Sequence, residues 1–241
     1  MSNAVFEFRE FAILQDKCAM KVGTDGVLLG AWCQPSEGGT CRRILDIGTG
    51  TGVIALMCAQ RWQEAALEAV EIDREAAAQA AANFSRSPWG TRLRVHACSL
   101  AQFHASFGSK TYDLIVSNPP FYNASLPPDD GLRALARHTN ALPWSELTAI
   151  AARHLSPDGR LCVVFPTSEW DKVATAALLA GLSPVLITDV VTKTGKAPKR
   201  TLAAFSSRPC VPQRTLLTVR DSSGAYTDDY LRLVLPFYEH L

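Results

Sequence analysis

The sequence predicts an α/β fold: a mostly parallel sheet with helices on both faces and an antiparallel addition at one edge. Two observations carry this. From residue 43 onward, short runs rich in Val, Ile and Leu alternate with longer helical stretches, which implies parallel strands joined by right-handed crossovers. Near the C-terminus the strand-like runs follow one another with few helices between them, which implies an antiparallel pairing. The composition agrees with a globular chain: 241 residues, 47% hydrophobic and 20% charged. No internal repeat or long linker divides the chain, so residues 1–241 read as one domain: a core from residue 41 preceded by an N-terminal segment, residues 1–40.

The elements follow in order. Phe6 to Phe11 alternates apolar and charged residues, as an edge strand or hairpin does. Asp25 is a candidate cap for a helix over Val27 to Trp32, and a Pro/Gly/Ser loop spans Pro35 to Thr40. Arg43 to Ile47 reads as a buried strand, Val53 to Trp62 as a helix, Leu67 to Ile72 as a strand and Arg74 to Phe84 as an alanine-rich helix. Leu93 to Ala97 and Tyr112 to Ser117 are further strands, the second stopped by Asn118-Pro119-Pro120. A helix over Ser145 to His154, a strand over Leu161 to Phe165 and a helix over Trp170 to Ala180 come next. Strands follow at Ser183 to Thr192, Thr201 to Ser206 and Arg214 to Arg220, then a terminal helix over Tyr226 to Tyr238, broken at Pro236.

Bulk properties exclude several classes. Net charge is +1, so any nucleic acid must be met by a local basic patch. The seven cysteines form no C-x-x-C pair and are odd in number, which fits free thiols in a reducing compartment and points to no metal site. No charged leader with an apolar core and no long apolar run occurs, so a soluble cytoplasmic protein with no membrane partner is expected.

The chemistry concentrates at two turns. Asp46-Ile47-Gly48-Thr49-Gly50-Thr51-Gly52 lies between a strand and a helix. Glycines there let the backbone turn sharply and approach a ligand, and the helix presents free amides to it. The spacing is tighter than that of dinucleotide binders, and no Lys-Ser/Thr follows, so a triphosphate loop is disfavoured. An acid beside backbone amides suits S-adenosylmethionine, which carries a carboxylate, an ammonium and a sulfonium. Glu71 ends the second strand, about 20 residues on, where an acid accepts hydrogen bonds from ribose hydroxyls, with Ile72 beside it. Asp73 is the candidate cap of the next helix. After the third strand, where an acid would meet the adenine amine, the chain carries Ser99, which bonds weakly or leaves that contact to the backbone.

The second turn is Asn118-Pro119-Pro120-Phe121. The Asn118 carboxamide oxygen and the Pro119 carbonyl can accept the two hydrogens of an amine and orient its lone pair, and Phe121 offers a face for a planar base. An activated methyl donor needs alignment and charge stabilisation, not a strong base.

These motifs resemble the class I amino-methyltransferases that act on adenine, cytosine or glutamine amides. The run from Phe11 to Trp32, the segment Arg133 to Thr139, Lys199-Arg200 and the tail Tyr226 to Tyr230 are similar to the bacterial methyltransferases that modify N6 of adenine 37 in valine tRNA. The resemblance implies a Rossmann-like, seven-stranded methyltransferase fold. It implies that the glycine turn and Glu71 hold the cofactor, that Asn118 to Phe121 receive the base, and that Lys21, Gly23, Thr24 and Asp25 fold over the cofactor pocket. Arg133, Arg137 and His138, and a second group of Lys193, Lys196, Lys199 and Arg200, are the candidate contacts to tRNA phosphates. A monomer is the expected state. A glutamine methyltransferase acting on a protein and an inert adenosylmethionine-binding module are the alternative functions.

Overall fold

The computed structural model describes residues 4–18, 21–36, 40–120 and 142–239. A hairpin opens the chain, with β1 (Val5–Glu7) antiparallel to β2 (Ala12–Leu14). The Phe6 to Phe11 alternation thus covers the end of one strand and the turn, closed by the Phe8 amide donating to the Phe11 carbonyl at 2.8 Å. Phe8 and Phe11 are buried and stacked, so they anchor the hairpin to the body of the protein. Helix α1 (Thr24–Trp32) begins earlier than the sequence suggests. Its cap position is Gly23, and Asp25 lies inside the first turn with its side chain engaged elsewhere.

One eight-stranded sheet organises the rest: β3 (Arg43–Ile47), β4 (Ala66–Glu71), β5 (Leu93–Ala97), β6 (Tyr112–Ser117), β7 (Leu155–Pro166), β8 (Ser183–Lys193), β9 (Arg200–Ser206) and β10 (Gln213–Arg220). Their spatial order is β10-β8-β9-β7-β6-β3-β4-β5. The sheet has one strand more than the seven that the resemblance implies, because β10 adds beyond β8. The antiparallel strand is internal and not at the edge: β9 runs against both β7 and β8, while β10 is parallel to β8.

Helices α2 (Val53–Arg61), α3 (Arg74–Arg86), α4 (Leu100–Phe107), α5 (Trp144–His154), α6 (Trp170–Leu179) and α7 (Asp228–Val234) cover the sheet. Strand periodicity divides the core. Ile44, Leu114, Val116, Val164 and Leu202 face one way and pack with residues of α1, α2, α3 and α7. Leu45, Ile115, Val163, Phe165 and Phe205 face the other way, against residues of α4, α5 and α6. Each such side chain contributes roughly 1.5–3 kcal/mol on burial. Continuous apolar runs therefore read correctly as strands buried on both faces. All seven cysteines are free thiols. Among the described residues no helix is long and apolar enough to cross a membrane.

The topology also fixes where a ligand fits. From β3 the chain moves outward through β4 and β5, then returns to β6 on the other side of β3. This reversal leaves a crevice beyond the carboxyl ends of β3 and β6, which is where open α/β sheets bind ligands.

Candidate active site

Both chemical turns meet at that crevice. β3 and β6 pair in parallel, with Asp46 opposite Val116 and Ile47 opposite Ser117. The glycine turn leaves the end of β3, and Asn118 leaves the end of β6 one strand away. The buried Ser117 hydroxyl donates to the Ile47 carbonyl at 2.8 Å and ties the two strand ends together.

The turn is held from the β4 side. The Gly48 and Thr49 amides donate to the Val70 carbonyl at 2.8 and 3.2 Å. The Gly50 amide donates to Glu71 Oε2 at 2.9 Å, and the Asp73 amide to Glu71 Oε1 at 3.0 Å. Asp73 in turn caps α3, accepting from the Glu75 and Ala76 amides. The two neighbouring acids thus take separate tasks, Glu71 at the turn and Asp73 at the helix. Gly48, Gly50 and Gly52 all have positive φ, at 72°, 55° and 86°. Their surroundings differ. A Cβ on Gly48 or Gly50 would meet nothing within 4 Å, whereas one on Gly52 would strike Phe84 Cε1 at 2.5 Å. The first two leave room for a ligand, and Gly52 lets α2 pack against α3.

Asp46 lies behind the turn, fully buried. Its Oδ2 accepts the Thr49 hydroxyl at 2.6 Å, and Oδ1 has no hydrogen-bond partner among the described residues. Burial pushes its carboxyl up to about 7, against the opposing Thr49 hydrogen bond.

A cavity of about 490 Å³ opens over the glycine turn; Asp46 and Glu71 stand behind and beside that turn and do not line the cavity. The N-terminal segment supplies Lys21, Gly23, Thr24 and Asp25 to its wall, and the glycine turn supplies Gly48, Thr49 and Gly50. Asn118 and Pro119 form the wall beyond β6, and Pro166 and Arg200 close it beyond β7 and at β9. A Cβ on Gly26 would lie 3.5 Å from Val53 and 3.8 Å from the Asn118 amide nitrogen, so α1 rests directly on α2 and on Asn118. The first turns of α1 and α2 both line the cavity, and neither carries a side-chain cap. By contrast, Asp73, Ser99 and Thr227 cap α3, α4 and α7. Two uncapped helix starts leave amides and positive dipole ends available to an anionic group.

Sequence reasoning missed what holds the N-terminal segment in place. Asn83 accepts from the Leu14 amide and donates to the carbonyls of Leu14 and Thr51, each at 2.9 Å. Gln79 accepts from the Lys17 amide at 2.9 Å and donates to Asp16 Oδ1 at 2.6 Å. Gln15 accepts the Val22 amide at 2.8 Å. The signal was available: Gln79 and Asn83 stand four apart on the alanine-rich helix, on the face it buries.

Other candidates lie elsewhere. Ile72 is 49% exposed just beyond β4. Ser99 Oγ accepts the Gln102 amide at 3.2 Å as the cap of α4, with Gln102 returning to the Ser99 amide, so its hydroxyl oxygen already has a partner. Lys193, Lys196 and Lys199 are exposed on the β8–β9 turn. Arg200 stands in the cavity wall instead, its Nε donating to Asp25 Oδ2 at 2.7 Å. Phe121, Arg133, Arg137 and His138 lie outside the described residues. Among the described residues no group of three or more His, Cys, Asp or Glu side chains could hold a metal ion.

Residues 27–170 match the model of the methyltransferase small domain family. A tRNA1(Val) (adenine(37)-N6)-methyltransferase of Bacteroides fragilis is 45% identical over 240 residues, covering 99% of both chains. The chain belongs to the tRNA1(Val) (adenine(37)-N6)-methyltransferase family. A family member from Aeromonas salmonicida is 40% identical over 237 residues and 98% of each chain. Among solved structures, a predicted O-methyltransferase of Agrobacterium tumefaciens shares the fold with TM-score 0.65 at 20% identity, covering 88% of this chain and 96% of that one. A glycopeptide N-methyltransferase complexed with S-adenosyl-L-methionine superposes with TM-score 0.55 at 12% identity, covering 78% of this chain and all of that one. Membership of this family thus agrees with a Rossmann-like methyltransferase fold.

Proposed function

We propose that this chain transfers a methyl group from S-adenosylmethionine to the N6 amine of adenine 37 in the anticodon loop of valine tRNA. The observation that carries this reading is the shared cavity: the glycine turn after β3 and Asn118-Pro119 after β6 face one space from adjacent strands.

The residues present fit the cofactor. Gly48 and Gly50 leave open space where side chains would stand, and the uncapped starts of α1 and α2 offer amides to a carboxylate. The buried acid Asp46, with one unpartnered oxygen, favours cationic charge at the turn in front of it. Glu71 would accept from ribose hydroxyls while bracing Gly50, and Lys21, Gly23 and Thr24 close the cavity from above. Bound S-adenosylmethionine supplies an electrophilic methyl group on a sulfonium.

The acceptor side is the work of this chain. The Asn118 carboxamide oxygen and the Pro119 carbonyl accept the two hydrogens of the amine, which turns its lone pair toward the cavity. The same acceptors stabilise positive charge as it grows on the nitrogen. Pro119 and Pro120 stiffen the loop, so this arrangement exists before the base arrives. Phe121 follows to stack on the base, which must be splayed out of the loop to enter. Arg133, Arg137 and His138, with Lys193, Lys196, Lys199 and Arg200, meet the surrounding phosphates. The β8–β9 turn supports this, since it rises from the same sheet edge as the cavity. A cytoplasmic monomer is part of this reading.

The test is incubation with labelled S-adenosylmethionine and tRNA lacking the modification, followed by nuclease digestion and mass spectrometry. The expected product is N6-methyladenosine at the base 3′ of the anticodon. Label in a protein glutamine, or cofactor binding with no transfer to any tRNA, would refute the reading.

A further inference from the structure

Strand order lays the site out along one edge of the sheet. Glu71 ends β4, the glycine turn follows β3, Asn118 follows β6, Pro166 ends β7 and Arg200 opens β9. The basic turn Lys193 to Lys199 comes next, at the end of β8. From β3 to β9 there are three inter-strand steps, about 14 Å of sheet. Arg200 therefore stands at the acceptor end of the cavity, beyond Asn118, and is continuous with the lysines outside.

Its guanidinium is only partly committed. Nε donates to Asp25 Oδ2 at 2.7 Å and Nη1 to the Lys199 carbonyl at 3.1 Å. Nη2 has no partner among the described residues. The ion pair leaves the Arg200 side chain 37% and the Asp25 side chain 27% exposed. A pair this open to solvent adds little to stability, so packing does not account for it. It does fix the plane of the guanidinium, and a preset plane matters where a phosphate is gripped through a planar fork. Asp25 also sits in the first turn of α1, the helix that rests on Asn118 through Gly26.

We propose that Asp25 is a positioning residue for Arg200, holding its guanidinium so that the free Nη2 edge grips a phosphate next to the target nucleotide. Asp25 then serves RNA and not the cofactor, although it lies in the cavity wall. This rests on the function proposed above.

The experiment measures three quantities in the full chain: methyl-transfer kcat, KM for tRNA, and cofactor Kd by calorimetry. The variants are Asp25→Asn, Arg200→Ala, Arg200→Lys and Asp25→Asn with Arg200→Ala. Asp25→Asn is expected to raise KM for tRNA by roughly tenfold, with cofactor Kd and kcat at saturating tRNA near the unsubstituted values. Arg200→Ala should raise KM at least as far, Arg200→Lys should recover only part of the loss, and the double variant should be no worse than Arg200→Ala alone. Unchanged cofactor Kd also certifies that each variant is folded. Weaker cofactor binding with unaltered tRNA KM in Asp25→Asn or Arg200→Ala would overturn the proposal, and so would additive penalties in the double variant. An unsubstituted chain that methylates no tRNA at all would instead overturn the function reading itself.

Discussion

Replacing Asp46 by asparagine separates the electrostatic cost of that buried acid from its shape. The carboxyl is fully buried, and burial raises its pKa from 3.8 to about 7. An acid whose folded pKa is raised binds its proton more tightly in the native state. The native state is therefore relatively most stable below pH 3.8, and that advantage is lost as pH rises to about 7. A shift of about three units at about 1.4 kcal/mol each makes the full effect about 4 kcal/mol. Between pH 5 and pH 8 roughly 2–3 kcal/mol of it should appear. Asparagine has nearly the same volume, can still accept the Thr49 hydroxyl, and does not titrate. Urea unfolding of both proteins at pH 5 and pH 8 should show the stability difference moving in favour of Asp46→Asn by about that amount on going to pH 8. A difference independent of pH would show that Asp46 is not held near neutrality, and the reasoning from its burial would fail. Cofactor affinity runs the other way. A cationic ligand favours the ionised form, so cofactor binding to the unsubstituted chain should tighten as pH rises through about 7 and lose that dependence in Asp46→Asn.

Three further outcomes are expected. Asn118→Ala should abolish methyl transfer while calorimetry shows cofactor binding retained; retained turnover would refute the amine clamp. Gly50→Ala and Gly52→Ala should diverge, since both strain a positive φ but only the second drives a Cβ into Phe84. Gly52→Ala should therefore lose roughly 2–4 kcal/mol of unfolding stability, and Gly50→Ala only about 1 kcal/mol together with a disproportionate loss of cofactor affinity. Lys196→Glu with Lys199→Glu should weaken tRNA binding and flatten its log–log salt dependence by about two, with cofactor Kd unchanged; an unaltered salt slope would make those lysines ordinary surface.

Much of the architecture was legible because strands buried on both faces leave long apolar runs, and each parallel crossover needs a helix. Arg43 to Ile47 and Leu93 to Ala97 came out with the bounds read from pattern alone. What escaped was information held in side-chain exchange. Helix α4 has only eight residues, and its signal is the reciprocal cap between Ser99 and Gln102, which makes Ser99 a helix start and not a ligand contact. Asp25 has the position of a helix cap before an apolar run, yet its partner is Arg200, 175 residues away, which no local pattern encodes. Strand direction was equally hidden: the late strands alternate correctly, but only pairing shows that β9 alone is reversed. The two chemical turns were legible as motifs, and their shared cavity follows once β3 and β6 are known to be neighbours.

That reversed strand has a lasting consequence. A parallel successor to β8 would have needed a crossover helix packed on the sheet, whereas β9 is reached by a short, largely exposed turn over residues 194–199. The residues of this turn can change in length and charge without repacking the interior. On the proposed function, a basic phosphate contact can thus vary on its own while the strands that frame the glycine turn stay fixed by the core.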